Sequence, residues 1–180
     1  MLRLLALRKY YCNRCNNKAP CSTGTRLLIQ ALNRDNVSKP LNIFDYGCSN
    51  WRNSTYLSKI FKTRHVVTCD IQKLSKPTII CYPTHLPFKS NSFDIVLLSH
   101  ILMFLRCKSE WKKVINEIAR VCKKFAVVET YHCVGKKEMT IFEKPLEYTR
   151  EELLETVSSR FYIVKKKLDK KMENLVLLKK

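Results

Sequence analysis

Apolar and polar residues change period along the chain, and those changes mark the elements. Ser22-Thr23-Gly24-Thr25 offers helix caps before Arg26-Leu27-Leu28-Ile29-Gln30-Ala31-Leu32, whose apolar spacing predicts a short helix. Pro40 ends that section, and 41–47 reads as a strand running into a turn at Gly47. A polar helix is predicted over 51–62, a second strand over 65–71 and a short third over 78–82. The segment 93–99 is apolar nearly throughout, as a strand covered on both faces should be. From Ser109 to Cys122, Trp111, Val114, Ile115, Ile118 and Val121 recur at helical period. A fifth strand follows over 125–129. Thr149-Arg150-Glu151-Glu152 caps another helix, and 161–164 and 175–178 close the chain as two more strands.

Strands alternating with helices predict an α/β fold with a mostly parallel, doubly wound sheet. The last two strands are separated by Lys165 to Asn174, short enough for an antiparallel C-terminal hairpin. Only 72–77 joins the second and third strands, whereas a parallel crossover normally takes a dozen residues or more. Either the crossover helix is missing or the third strand is a stub at the sheet edge. No internal repeat or low-complexity linker interrupts the pattern. The chain divides into a basic N-terminal arm and helix over 1–36 and one domain over 37–180.

Composition sharpens this picture. With 180 residues and 46% apolar positions the chain can bury a core, which excludes a disordered tail, a collagen-like repeat and a small disulfide knot. No apolar run approaches the length needed to span a bilayer, so no membrane partner is expected. Lys+Arg outnumber Asp+Glu by 34 to 15, a net charge of +19 that points to a polyanion, RNA first. The charge clusters at two places. Arg3, Arg8, Lys9, Arg14, Lys18, Arg26 and Arg34 lie in an acid-free start, and Lys165, Lys166, Lys167, Lys170, Lys171, Lys179 and Lys180 crowd the closing hairpin. Tyr10-Tyr11 beside Arg8-Lys9 adds stacking surfaces with cations, as binders of single-stranded RNA use.

Nine cysteines with no secretory leader before them read as reduced thiols of an intracellular protein, cytoplasmic or nuclear. The Arg-bearing, Leu-rich, acid-free start offers mitochondrial targeting as the alternative. Cys12-Asn13-Arg14-Cys15 with Cys21 has the spacing of half a zinc site. His132 and Cys133 would complete it only if the fold brought them near.

The chemistry concentrates at strand ends. Phe44-Asp45-Tyr46-Gly47-Cys48-Ser49-Asn50-Trp51 places a turn glycine after the first strand, where open α/β sheets bind ligands. Asp70 ends the second strand, and a carboxylate there accepts hydrogen bonds from a ribose diol. Alone, Asp45 reads as a turn former and Asp70 as a helix cap. Together they read as a nucleoside-binding pair.

A third and a fourth element follow in order. Leu86-Pro87-Phe88-Lys89-Ser90-Asn91-Ser92-Phe93-Asp94-Ile95-Val96 with Leu98-Ser99-His100-Ile101-Leu102 resembles the fourth-strand segment of class I S-adenosylmethionine-dependent methyltransferases. Asn116-Glu117-Ile118-Ala119-Arg120-Val121-Cys122-Lys123-Lys124 is similar to the helix and turn before their fifth strand. Tyr148-Thr149-Arg150-Glu151-Glu152-Leu153-Leu154 into 161–164 resembles their closing pattern. The resemblance covers roughly Leu41 to Lys180, and the compact layout looks like that of ribosomal-RNA-processing adenine methyltransferases.

The resemblance implies a Rossmann-like sheet and S-adenosylmethionine as cofactor. Asp45, Gly47, Cys48 and Ser49 would contact its methionine end, Asp70 its ribose and Ile71 its adenine, with Leu86 and Ser99 also in the binding set. Ser99 and His100 would face the reacting methyl. His100 would orient the acceptor or take its proton, or else cap the following helix. The implied function is methyl transfer to RNA, ribosomal or transfer RNA. The alternatives are a catalytically inactive RNA-binding or ribonucleoprotein assembly protein, and a methyltransferase of a protein or small molecule. Three departures stand out. The glycine loop continues with Ser49 and Trp51, and that tryptophan must point away or fill part of the methionine pocket. Tyr82-Pro83-Thr84-His85 replaces the acid that often precedes Leu-Pro-Phe. Leu98-Ser99-His100-Ile101 stands where exocyclic-amine enzymes carry Asn/Asp-Pro-Pro-Tyr, which disfavours that route.

Overall fold

The computed structural model describes residues 21–32, 41–71, 76–105, 107–131, 148–168 and 172–180. Its elements, in chain order, are α1 (Thr23–Leu32), β1 (Ile43–Tyr46), α2 (Arg52–Phe61), β2 (Val66–Asp70), β3 (Ile79–Ile80) and β4 (Phe93–Ser99). After a 3-10 turn over Leu102–Phe104 come α3 (Lys108–Val121), β5 (Cys122–Tyr131), α4 (Arg150–Ser158), β6 (Phe161–Leu168) and β7 (Met172–Lys179).

The strands form one seven-stranded sheet of order β3-β2-β1-β4-β5-β7-β6. β1 pairs in parallel with β2 and β4, and β4 with β5, while β7 runs antiparallel between β5 and β6. The doubly wound sheet and the antiparallel C-terminal hairpin are therefore as the sequence predicts. The order reverses between β1 and β4, which opens a crevice at the carboxyl ends of the central strands.

Both faces are covered, which is why the central strands read as continuous apolar runs. On one face Leu28, Ala31 and Leu32 of α1 and Leu57 and Phe61 of α2 pack on Ile43, Ile95, Leu97, Phe125, Val127 and Val176. On the other, Trp111, Val114, Ile115 and Ile118 of α3 and Leu153 and Val157 of α4 pack on Phe44, Val96, Leu98 and Val128. α4 starts in a capping box: the Thr149 hydroxyl accepts the Glu152 amide at 3.1 Å, and the Glu152 carboxylate accepts the Thr149 amide at 2.9 Å.

β3 is a two-residue stub at the sheet edge, joined to β2 by only 71–78. The structure joins Cys69 to Cys81 there, where the sequence reading keeps every cysteine reduced. The parallel pairing of Cys69 with Ile79 is the cause, since it leaves the two cysteine Cα atoms 6.4 Å apart. Cys21, Cys107 and Cys122 are free thiols.

β6 and β7 each run to eight residues, twice the predicted length. Lys165, Lys166 and Lys167 pair with Val176, Leu175 and Asn174, so an edge strand tolerates a charge run that the apolar pattern alone would end. No described helix is long and apolar enough to cross a membrane.

Candidate functional site

Asp45, Ser99 and Glu129 stand at or near the ends of β1, β4 and β5, with Asp70 ending β2 on the far side of β1. The loop 47–51 links β1 to α2 and is built on the β2 end: the Gly47 and Cys48 amides both donate to the Cys69 carbonyl, at 2.8 and 3.2 Å. Left-handed φ angles fall at Gly47 (75°), Ser49 (45°) and Trp51 (62°). The three alternate along the loop. The backbone thus keeps the glycine-demanding path with two bulkier residues on it.

Gly47 is confined twice over, since a Cβ there would overlap the Ile101 side chain. Trp51 is 39% exposed. It also occupies the N-cap of α2 without giving a side-chain cap, and no acid stands in that helix's first turn.

Asp45 lies under the loop, 2% exposed. Burial pushes its carboxyl up to about 6, against hydrogen bonding from Ser54 that pulls it down, and the charges of Asp70 and Glu129 raise it further. Its Oδ2 is buried with no partner among the described residues. Asp70 is buried as well, and its Oδ2 accepts the Ser49 amide at 3.3 Å. Ile71, next along, is exposed beside it.

The β4–β5 end of the crevice is organised by a residue that sequence reasoning took only as the end of the fifth strand. Glu129, 1% exposed, accepts the Gly24 amide through Oε1 and the Ser99 hydroxyl through Oε2, both at 2.7 Å. Its own carbonyl accepts the His100 amide at 2.7 Å. Asn53 extends this network, accepting the Ser22 amide at 2.8 Å and donating to Ser99 Oγ at 3.4 Å. The first turn of α1 is thereby pinned across the ends of β4 and β5.

His100 holds a φ of 60° and stacks on Tyr131, ring centroids 5.1 Å apart. The 3-10 turn after it has Ile101 at its N-cap. Leu86 is buried in the core, its amide donating to Glu117 at 2.8 Å and its carbonyl accepting from Arg120 at 2.9 Å. Arg120 also binds the Phe88 carbonyl and grips both Glu117 oxygens, so the Leu-Pro-Phe segment and helix α3 lock together.

Cys48 is buried in the loop. Cys12 and Cys15 lie outside the described residues, as does most of the basic arm. Cys21 is buried, and no group of three His, Cys, Asp or Glu suited to a metal ion occurs among the described residues.

Residues 44–128 match the family described as methyltransferase domain. No curated protein matches the chain in sequence. Among solved structures, a TehB-like S-adenosylmethionine-dependent methyltransferase from Corynebacterium glutamicum is 17% identical, with 99% of this chain and 98% of that one covered at a TM-score of 0.63. A further such methyltransferase, from Aquifex aeolicus, is 14% identical over 92% of this chain and 94% of that one, at 0.64. The N-methyltransferase NodS from Bradyrhizobium japonicum, in complex with S-adenosyl-L-homocysteine, is 11% identical over 87% and 85%, at 0.63. These likenesses establish the fold, and the family match covers the central strands and the loop that carry the site. In fold the chain is similar to S-adenosylmethionine-dependent methyltransferases, and its residues 44–128 match the methyltransferase domain family.

Proposed function

We propose that the protein transfers a methyl group from S-adenosylmethionine to RNA. The observation that carries the cofactor reading is Asp45 Oδ2, a buried carboxylate oxygen left without a described partner directly beneath the loop. An unpaired buried acid calls for a donor or a cation, and the cofactor's amino group is both. Asp70, buried at the end of β2, would accept a ribose diol, with the exposed Ile71 beside it against adenine. The first turn of α2, free of acids, presents backbone amides to a carboxylate.

When bound, the cofactor supplies an activated methyl on a good leaving group. The chain's work is then to align the nucleophile and exclude water. Ser99 and His100 end β4 on the side away from Asp70, where the acceptor would enter. The stacked rings of His100 and Tyr131 form a flat wall there, suited to a planar acceptor. RNA rests on the +19 charge and its concentration in the N-terminal arm.

The second reading, an RNA-binding assembly protein without catalysis, draws on Ser49 and Trp51 holding left-handed positions that glycine would occupy without strain. One experiment divides the two: methyl transfer from labelled cofactor to total RNA and to total protein, run beside calorimetric titration of the cofactor. Label in RNA supports the proposal and label in protein overturns its substrate. Failure to bind at millimolar cofactor establishes the second reading.

A further inference from the structure

The two faces of the sheet differ in charge. α1 and α2, which cover one face, carry Arg26, Arg52 and Lys59 and no acid. α3 and α4, which cover the other, carry Glu110, Glu117, Glu151, Glu152 and Glu155 against as many bases. The ion pairs among the described residues follow the same division. Lys108 pairs with Glu152, Arg120 with Glu117, Lys123 with Asp94 and Arg150 with Glu173, and none of these draws on α1, α2 or β6. The α1 side is therefore a basic surface with no acid of its own to offset it, on a chain of net charge +19.

Strand register places that surface relative to the site. Ser99, Glu129, Asn174 and Lys167 are successive partners across β4, β5, β7 and β6, so they share one row and one face of the sheet. Three strand spacings of about 4.8 Å put Lys167 roughly 14 Å from Ser99. Helix α1 spans the same ground. Gly24 at its start donates to Glu129, and Gln30 near its end accepts Lys165 Nζ at 2.7 Å. Lys165 thus keeps its charge on a neutral partner, and Lys167, two positions on, lies exposed on the same face of β6. Arg26 is exposed one turn before Gln30 and donates only to the Thr23 hydroxyl of its own helix among the described residues, at 3.1 Å. Three cations flank a path from the sheet edge to the crevice.

We propose that a single strand of RNA lies along the α1–β6 side of the sheet, its phosphates on Arg26, Lys165 and Lys167, and that this track leads it to Ser99 at the end of β4. The proposal rests on the RNA reading above and adds to it a face and a path. The distance from Lys167 to Ser99 is about four nucleotides at the stacked spacing of about 3.4 Å. A base at the wall of His100 and Tyr131 and phosphates on the track therefore belong to one short stretch of strand. One row of cations serves one backbone, and an unpaired base is free to turn toward the wall as a paired base is not. The α3–α4 face, with as many acids as bases, offers a phosphate no such gain.

The test is fluorescence anisotropy of a labelled oligouridylate with the full chain, for the wild type and two double variants. Arg26→Glu with Lys167→Glu reverses the track. Lys112→Glu with Lys113→Glu, both exposed on α3, lowers the net charge equally on the other face. The track variant should bind roughly tenfold or more weakly, and its slope of log affinity against log salt should be shallower by about 1.4, or 0.7 for each of two phosphates. The α3 variant should stay within about twofold of wild type. Equal losses in the two variants, or a larger loss on α3, overturn the proposal, because net charge and not the face would then decide. A duplex with oligoadenylate bound as tightly as the single strand also overturns it, as do phosphatidylserine vesicles bound with the same dependence on Arg26 and Lys167. If the track variant does not fold, photocrosslinking of thiouridine-bearing RNA to the wild type decides: adducts should map to α1 and β6, and adducts confined to α3 or α4 overturn the proposal. If the wild type binds no RNA at low salt, the RNA reading itself fails. If it binds RNA and the track variant binds as well as wild type, that reading stands and only the face fails.

Discussion

The Gly24 amide donates to Glu129 Oε1 at 2.7 Å, a contact between residues 105 positions apart that sets helix α1 against the end of β5. A Cβ on Gly24 would stand 2.6 Å from Glu129 Cγ and 2.7 Å from Val127 Cγ1, both well inside van der Waals contact. Neither neighbour can yield cheaply, since Glu129 is held by two hydrogen bonds and Val127 is fully buried. Gly24→Ala gains about 0.5–1 kcal/mol of helix propensity but loses about 1–3 kcal/mol to overpacking. The expected net result is a melting temperature lower by roughly 4 °C. A melting temperature that rises would show that α1 can slide off Glu129 without penalty.

Asp45, Asp70 and Glu129 share one signature in the sequence: an apolar run that stops at an acid. Asp45 and Asp70 are legible as a site because a turn glycine follows the first and the second lies a strand–helix–strand unit further on. Glu129 carries the same signature yet reads only as a strand end, because its partners Gly24 and Ser99 are distant in the chain and neither announces itself. The mostly parallel sheet is similarly legible, since strands alternate with helices. The disulfide between Cys69 and Cys81 is not, because it depends on how closely a two-residue strand lies against β2. The lengths of β6 and β7 escape the pattern for a third reason: pairing across a hairpin outweighs the low strand propensity of a lysine run.

Burial of Asp45 makes stability depend on pH in a definite direction. Its folded pKa of about 6 lies above the ordinary 3.8, so the folded protein holds a proton more tightly than the unfolded chain. This contribution favours the fold below about pH 4, is lost as pH rises through the window from 3.8 to about 6, and stays lost above it. The gap is worth up to about 3 kcal/mol. Asp45→Asn removes the penalty, so the ligand-free variant should melt higher than wild type at pH 7.5 and show a flatter profile between pH 4 and 6. The same variant should bind S-adenosylmethionine more weakly. Parallel melting curves for the two proteins across that window would mean that Asp45 titrates as an exposed acid does.

The left-handed backbone at Trp51 separates glycine from alanine. At an ordinary exposed helix start, Trp51→Ala and Trp51→Gly would differ little or favour alanine. At a φ of 62° alanine keeps the Cβ clash with the following carbonyl and glycine does not. Urea denaturation should therefore find Trp51→Gly more stable than Trp51→Ala by about 1 kcal/mol. Ser49, at 45°, should show the same order. Gly47→Ala fails for both reasons, conformation and the overlap with Ile101, and should be the most destabilising change in the loop. An alanine that matches glycine at position 51 would place that residue outside the left-handed region in solution.

The lysines of the closing hairpin divide into two groups that different measurements detect. Lys179 Nζ donates to the Ala119 and Cys122 carbonyls and to Asn91, so it caps the end of α3 and is committed to the fold. Lys166 and Lys167 are exposed on the edge strand β6 and available to phosphates. If the partner is single-stranded RNA, log affinity should fall linearly with log salt, by about 0.7 for each phosphate neutralised. Replacing Lys166 and Lys167 together by alanine should make that slope shallower by about one to one and a half, with the melting temperature unchanged. Lys179→Ala should do the reverse, lowering the melting temperature by several degrees through the lost helix cap while the salt slope stays as in wild type. A slope that does not respond to Lys166 and Lys167 would move the RNA-binding face away from the hairpin and leave the N-terminal arm as its remaining seat.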